Sequence, residues 1–389
     1  MSDPIYLDHN ATTPVRVEVV EAMLPWLKEH FGNPSSTHVY GRRAHEAIET
    51  AREQVAALLG CQTDEVFFTS GGTEANNLAI LGSTEAAAKG RRHLLTSVVE
   101  HPATMRPCDR LQNNGWEVTR LPVDSDGRIR LKDVRAFARG DTALVTVMLA
   151  NNETGTLMPL QGISEIAHSK GARVHTDAAQ AVGKIPVRVY ELGVDLLSVA
   201  GHKLYAPKGV GALFVRKGTS IRPVLLGAGH ESGLRPGTEN VPYIVGLGEA
   251  CELAAQDLAE EAARVRALRD DLWVLLSAEV PGIRLNGHPT ERLLNTLNVS
   301  FPGVLGSAVL GAAPGVAAST GSACHEGAEN PSGVLLAMGL EAVTALGAVR
   351  LSLGRGTSRE HVLEAARALV RAWKEVSARV EVSSGSGSR

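Results

Sequence analysis

The chain has 389 residues, 44% hydrophobic and 21% charged, with a formal net charge of -3. That length passes the ~250–300 residues at which a single core stops growing, so a large domain and a smaller one are expected. The balanced charge, without a basic stripe, excludes nucleic acid as the main partner, and no apolar run nears the ~18 residues of a membrane span. Along the chain, two helical patterns come first, "VRVEVVEAMLPWLKEHF" and "RRAHEAIETAREQVAALLG", the second stopping at Gly60. Strand and helix then alternate. "DEVFFTS", "RHLLTSVV", "TALVTVMLA", "ARVHTD", "VDLLSVA" and "GVGALFVRK" read as strands, with "GGTEANNLAILGSTEAAA", "HPATMRPCDRLQNNG" and "QGISEIAHSKG" as helices between them. Continuous apolar strands separated by helices predict an α/β fold with a mainly parallel sheet covered on both faces.

From about Ala250 a long helical run, "ACELAAQDLAEEAARVRALRDDLWVLLSAEV", changes the texture, and shorter strands ("LLNTLNVSF", "AVRLSLG") and a final helix follow. The expected division is a large domain over 15–255, a smaller α+β domain made of 1–14 and 256–380, and a flexible tail over 381–389. The start, "MSDPIYLDHNATTP", has no secretory signal pattern. Four cysteines (Cys61, Cys108, Cys251 and Cys324) form no CxxC pair, so no metal site is expected. Free thiols in a reducing cytoplasm are the expectation.

In "SVAGHKLYAPKG" a lysine, Lys203, follows the end of an apolar strand, and Asp177 follows the end of "ARVHT". In parallel sheets ligands gather at the carboxyl ends of strands, so both side chains are expected at one rim. A lysine facing a carboxylate there suits a flat, phosphorylated cofactor, pyridoxal 5'-phosphate: the amine bonds it covalently and the carboxylate holds its ring nitrogen protonated. The phosphate needs backbone donors at a helix start, which "TSGGTEANN" supplies through Gly72 and Thr73. His101, opening a helix after "TSVVE", is placed to stack on the ring. Asn151 and Gln180 are placed to bond the ring's phenolic oxygen. Taken singly, each residue has a plainer reading: a turn lysine, a helix cap, a capping histidine, an ordinary glycine turn. Their joint placement at strand ends is what points to the cofactor.

The segments "LDHNATTP", "FGNPSSTH", "FFTSGGTEANNLAI", "LANNETG", "HTDAAQAVGK", "GHKLYAPKGVGAL", "RPGTENVP", "STGSACHEG" and "VRLSLGR" occur in family order. In these the chain resembles the cysteine desulfurases of the class V aminotransferase superfamily, of pyridoxal-phosphate fold-type I, over residues 5–375, which implies a mainly parallel seven-stranded sheet between helices in the large domain. Selenocysteine lyases share the scaffold. The resemblance implies that Lys203 carries the cofactor, Asp177 partners the ring nitrogen, His101 stacks on the ring, and Thr73 with His202 holds the phosphate. It implies that Thr238 reaches the phosphate of the other subunit of a homodimer. Arg350, with Asn151, would bind the substrate, its guanidinium fork clamping the carboxylate of L-cysteine or L-selenocysteine. Cys324 would take the sulfur as a persulfide, with His101 as acid and base near the substrate thiol, and pass it to an acceptor: iron–sulfur scaffold, tRNA thiolation enzyme, DNA phosphorothioation system and selenium pathway all draw on this core.

One departure bears on the phosphate: many desulfurases carry a serine where Ala200 stands, and lyases can lack it. The loop "AASTGSACHEGAENPSG", by contrast, has the desulfurase length between Cys324 and "PSG". Of the other cysteines, Cys61 follows a helix end, Cys108 lies within a helix and Cys251 opens the long one, which suits packing. The competing expectations are a selenocysteine lyase, an aminotransferase of the same fold, and a non-catalytic scaffold of a sulfur-transfer complex.

Overall fold

The computed structural model describes residues 3–320 and 330–385. Strand β1 (Ile5–Tyr6) pairs in parallel with β11 (Val316–Ala317). The large sheet contains β2 (Val66–Thr69), β3 (His93–Ser97), β4 (Glu117–Leu121), β5 (Thr142–Thr146), β6 (Arg173–Asp177), β7 (Leu196–Ala200) and β8 (Gly211–Val215). Its order is β2-β8-β7-β6-β5-β3-β4, parallel throughout except for β8, which runs antiparallel to both neighbours. A second sheet, antiparallel, places β10 (Thr296–Ser300) between β9 (Arg284–Asn286) and β12 (Ala348–Ser352).

Alternation along each strand explains why the runs are apolar throughout. Leu94, Leu144, Leu196 and Leu213 pack into a core on one face, with Leu78 and Ile80 of the helix Gly72–Glu85. Their chain neighbours Leu95, Val145, Leu197 and Phe214 pack into a larger core on the other face. Because successive side chains of a strand point to opposite faces, a sheet covered twice needs apolar residues at every position. A separate core joins Leu7 to Leu297, Val349, Leu351 and Leu369.

The helix Val241–Glu279 links the two regions. Ile244, Leu247 and Cys251 belong to the sheet's core, and Leu268, Leu272 and Leu276 belong to the other. It begins nine residues before the expected start, with the Asn240 side chain accepting from the Tyr243 amide. Gly246 and Gly248 hide this first stretch from a periodicity reading. A Cβ on Gly248 would lie 2.6 Å from Ala51 Cα, so glycine lets this helix lie close on the helix Val39–Leu59. Strand β4, polar and half-exposed at the sheet's edge, is likewise absent from the sequence reading. Among the described residues no helix is long and apolar enough to cross a membrane.

Candidate active site

Strands β6 and β7 are neighbours, with Asp177 opposite Ser198. Lys203 ends the short helical turn Gly201–Lys203 that follows β7. Both side chains line a cavity of about 790 Å³ at the carboxyl ends of these strands. Lys203 Nζ donates to the carbonyls of Asn10 and Ala11, each at 2.7 Å. Burial, then the Arg350 charge, draws its pKa down to about 8, against the opposing pull of Asp177 and Asp8. Asp177 is 8% exposed. Its carboxylate accepts from Asn76 Nδ2 at 2.7 Å and from the Ala179 amide at 2.9 Å. Among the described residues no cation lies within ion-pair distance of it.

The helix Gly72–Glu85 starts at the cavity without a side-chain cap; its N-cap, Gly71, has φ 144. Gly72 and Thr73 both line the cavity, so this helix start presents backbone donors to it. The turn sits tightly on β8: a Cβ on Gly211 would fall 2.7 Å from Gly71 Cα, which only glycine avoids. Ala200 and His202 complete this wall. Burial, with Lys203 and Lys208 nearby, lowers the His202 pKa to about 4, and its Nδ1 lies 3.2 Å from Thr12 Oγ1.

His101 is both the N-cap of the helix Pro102–Asn113 and part of the cavity wall. Its Nδ1 accepts from the Ala103 amide at 3.1 Å. That bond leaves the ring proton of neutral His101 on Nε2, and burial keeps the ring neutral by lowering its pKa. The capping and cavity-facing readings of this histidine therefore coexist.

Gln180 lines the cavity, but Asn151 does not. The Asn151 carboxamide is engaged inside the protein: Nδ2 donates to the Val99 carbonyl, and Oδ1 accepts from the amides of Glu153 and Thr154. Its role is to fold the loop "NNETG", and its neighbour Asn152 is the one at the cavity. Adjacent identical residues give a sequence reading nothing with which to choose between them.

Arg350, on β12, reaches the cavity from the second sheet and is 6% exposed. Nη2 meets Asp8 at 2.8 Å, Nη1 donates to the Asn152 carbonyl at 3.0 Å, and Nε has no partner among the described residues. Thr238 is exposed and stands apart from the cavity. Its loop is pinned by two ion pairs, Arg52 with Glu231 and Arg235 with Glu74. Cys324 lies outside the described residues. Ser319 and Thr320, just before that segment, line the cavity, and Ser319 exchanges backbone hydrogen bonds with Arg350. Cys108 and Cys251 are buried and Cys61 half-buried, and burial pushes all three thiols up to about 12. None of these three is an activated nucleophile. Asp8, Asn10, Asn76 and Lys184 went unnoticed in the sequence. Only the spacing of Lys184 four residues after Gln180 hinted at a contact.

With this geometry in place, comparison with known proteins is direct. The family model for class V aminotransferases matches residues 5–364, and the chain belongs to that family. It is 48% identical to a protein named cysteine desulfurase IscS from Dictyoglomus turgidum, covering 92% of each chain. It is 46% identical to the cysteine desulfurase NifS of Azotobacter vinelandii, covering 92% of this chain and 90% of that one. Among solved structures, a NifS-like protein superposes with a TM-score of 0.90 at 37% identity, covering 95% of this chain and 99% of that one. The structure titled SspA in complex with cysteine gives a TM-score of 0.80 at 36% identity, covering 90% and 98%. The family's cofactor is pyridoxal 5'-phosphate, and the cavity suits it: a primary amine, a buried carboxylate without a cation, and an uncapped helix start converge there.

Proposed function

We propose that this protein is a cysteine desulfurase, converting L-cysteine to L-alanine and leaving the sulfur as a persulfide on Cys324. The observation that carries the reading is the convergence of Lys203, Asp177 and Arg350 on one cavity whose rim, at Thr320, leads into the Cys324 segment. Four residues of chain, reaching at most about 14 Å, separate Thr320 from Cys324. Cysteine desulfurases among the relatives, and a related structure holding cysteine, support it.

Pyridoxal phosphate, when bound, supplies a ring that accepts the electrons released as the substrate's Cα–H bond breaks. The chain's residues do the rest. Arg350 holds the substrate carboxylate, and Asp177 keeps a positive partner at the ring nitrogen. Lys203 would hold the cofactor, and its amine is the base placed to take the substrate's α-proton. Gly72, Thr73 and His202 bind the phosphate, with no hydroxyl at Ala200. Gln180 donates to the phenolic oxygen. His101 stacks on the ring and offers its Nε2–H, so it stabilises sulfur anion instead of removing a proton. Cys324 Sγ bonds to the substrate sulfur as the Cβ–S bond breaks, so cysteine and thiol become alanine and persulfide with atoms balanced.

The same proposal places Thr238 against the phosphate of a second copy in a homodimer, and an acceptor protein at the Cys324 loop, in a cytoplasmic setting. It divides the chain into 15–255 and 1–14 with 256–380, the boundary falling within the helix Val241–Glu279, whose two halves serve different cores. Ala200 favours a second reading, selenocysteine lyase. Alanine release from cysteine and from selenocysteine, in wild type and Cys324→Ser, separates the two. A desulfurase loses turnover of cysteine in that variant while keeping its cofactor absorbance, and undiminished turnover would refute the persulfide.

A further inference from the structure

Behind the wall that carries Gln180 stands a second lysine. Lys184 Nζ lies 2.8 Å from Gln180 Oε1 and 3.3 Å from Asn10 Oδ1. Among the described residues it has no carboxylate within ion-pair distance. Its remaining surroundings include a small cavity of about 40 Å³ shared with His9, Tyr205, Glu261 and Asn295. Burial, then the charges of Lys203 and Arg350, draws its pKa well below the ordinary lysine value. An amine held only by neutral amides in such a place gives the fold little: a methylene chain of the same length would pack there without the cost of desolvating a charge.

What the amine does is fix two amides. With Oε1 held by Lys184, the Gln180 carboxamide must present Nε2 on its other side, where one N–H goes to the Asn10 carbonyl at 2.9 Å. The second N–H is left for the cavity that Gln180 lines. That Asn10 carbonyl also receives Lys203 Nζ. Asn10 itself is held by Lys184 and Asn295 at Oδ1, and through Nδ2 it bonds Thr296 Oγ1 and the Asn152 carbonyl. Lys184 therefore touches the amide aimed at the cavity and the residue on which the cofactor lysine rests.

We infer that Lys184 is a positioning residue for the cofactor, acting through the Gln180 carboxamide and Asn10 without touching the cofactor itself. The inference rests on the reading of the cavity as the pyridoxal-phosphate site. Its test is a double-mutant cycle of Lys184→Met and Gln180→Leu on cofactor-free protein, titrated with pyridoxal 5'-phosphate and followed by visible absorbance. Each single variant should bind about tenfold more weakly, the worth of one hydrogen bond, and the double variant no more weakly than the worse single. Cofactor-free Lys184→Met should melt at or above the wild-type temperature, which a structural role would not give. Unchanged affinity in Lys184→Met, multiplying losses in the double variant, or a Lys184→Met chain that melts lower or fails to fold would each overturn it. Wild type is the control: if it takes up no cofactor, the site reading fails first and takes this inference with it.

Discussion

Arg350 Nη2 and Asp8 Oδ1 lie 2.8 Å apart, joining the second sheet to the segment that follows β1. Asp8 accepts from one corner of the guanidinium and the Asn152 carbonyl from another, so the plane of the fork is set before substrate arrives. A clamp oriented in advance loses less freedom on binding.

Arg350→Lys should therefore raise KM for cysteine by about 10–100-fold, since an ammonium cannot make two parallel hydrogen bonds to a carboxylate. Asp8→Asn, which keeps an acceptor but removes the charge, should raise KM only a few-fold. Steady-state kinetics of alanine release check both.

Lys203 yields a pH dependence whose sign is fixed. Its pKa is lowered to about 8 in the folded protein, so the amine is mostly protonated below that value and free above it. Only the free amine attacks an aldehyde. Uptake of pyridoxal phosphate by cofactor-free protein should accelerate about tenfold per pH unit below 8 and level off above it. Folding stability follows the same direction: the folded state binds fewer protons than the unfolded chain between pH 8 and the ordinary lysine value, so this residue's contribution rises with pH across that window. Stopped-flow absorbance from pH 6.5 to 9.5 reads the first effect, and a profile flat through 8 would contradict it.

Asp177→Asn removes the one carboxylate among the cavity's described residues that has no cationic partner, while preserving its shape. The variant should still bind the cofactor but lose about 100-fold or more in turnover, the scale of deleting a single charge-stabilising group. Turnover and bound cofactor measured on the same sample separate the two effects.

Glu231 is a stability element. Its side chain is 2% exposed and binds Arg52 through both oxygens, at 2.7 and 2.9 Å, while accepting from the Phe68 amide at 2.7 Å. Its backbone φ of 46, with Ser232 at 55, is held in a region that side chains disfavour. Glu231→Ala should lower unfolding free energy by about 3 kcal/mol, the low end for breaking a buried pair, because Arg52 loses its buried bidentate partner but keeps Glu49 and the Val66 carbonyl. Replacing both partners, as Arg52→Met with Glu231→Leu, should cost less than the single change. Urea unfolding midpoints test the pair.

Local pattern carried a large part of this structure. The strands ending at Asp177 and Ala200 announce themselves by unbroken apolar runs, and the parallel pairing that brings Asp177 and Lys203 together follows from the helices between them. The reversal of β8 left no trace, because a strand buried on both faces reads the same in either direction. Asn10 and Asp8 were illegible for a different reason. Their importance lies in partners 170 to 342 positions away, such as Gln180 for Asn10 and Arg350 for Asp8, and no local period encodes such a pairing.

The helix Val241–Glu279, roughly 58 Å long at 1.5 Å per residue, acts mechanically as a strut. One end is clamped among the side chains beneath Lys203's sheet, and the other among those behind Arg350's strand. A continuous rod thus spans from amine side to guanidinium side, in parallel with the direct bond from Arg350 to the Asn152 carbonyl, so any breathing that parts them has to bend its middle turns and break that bond.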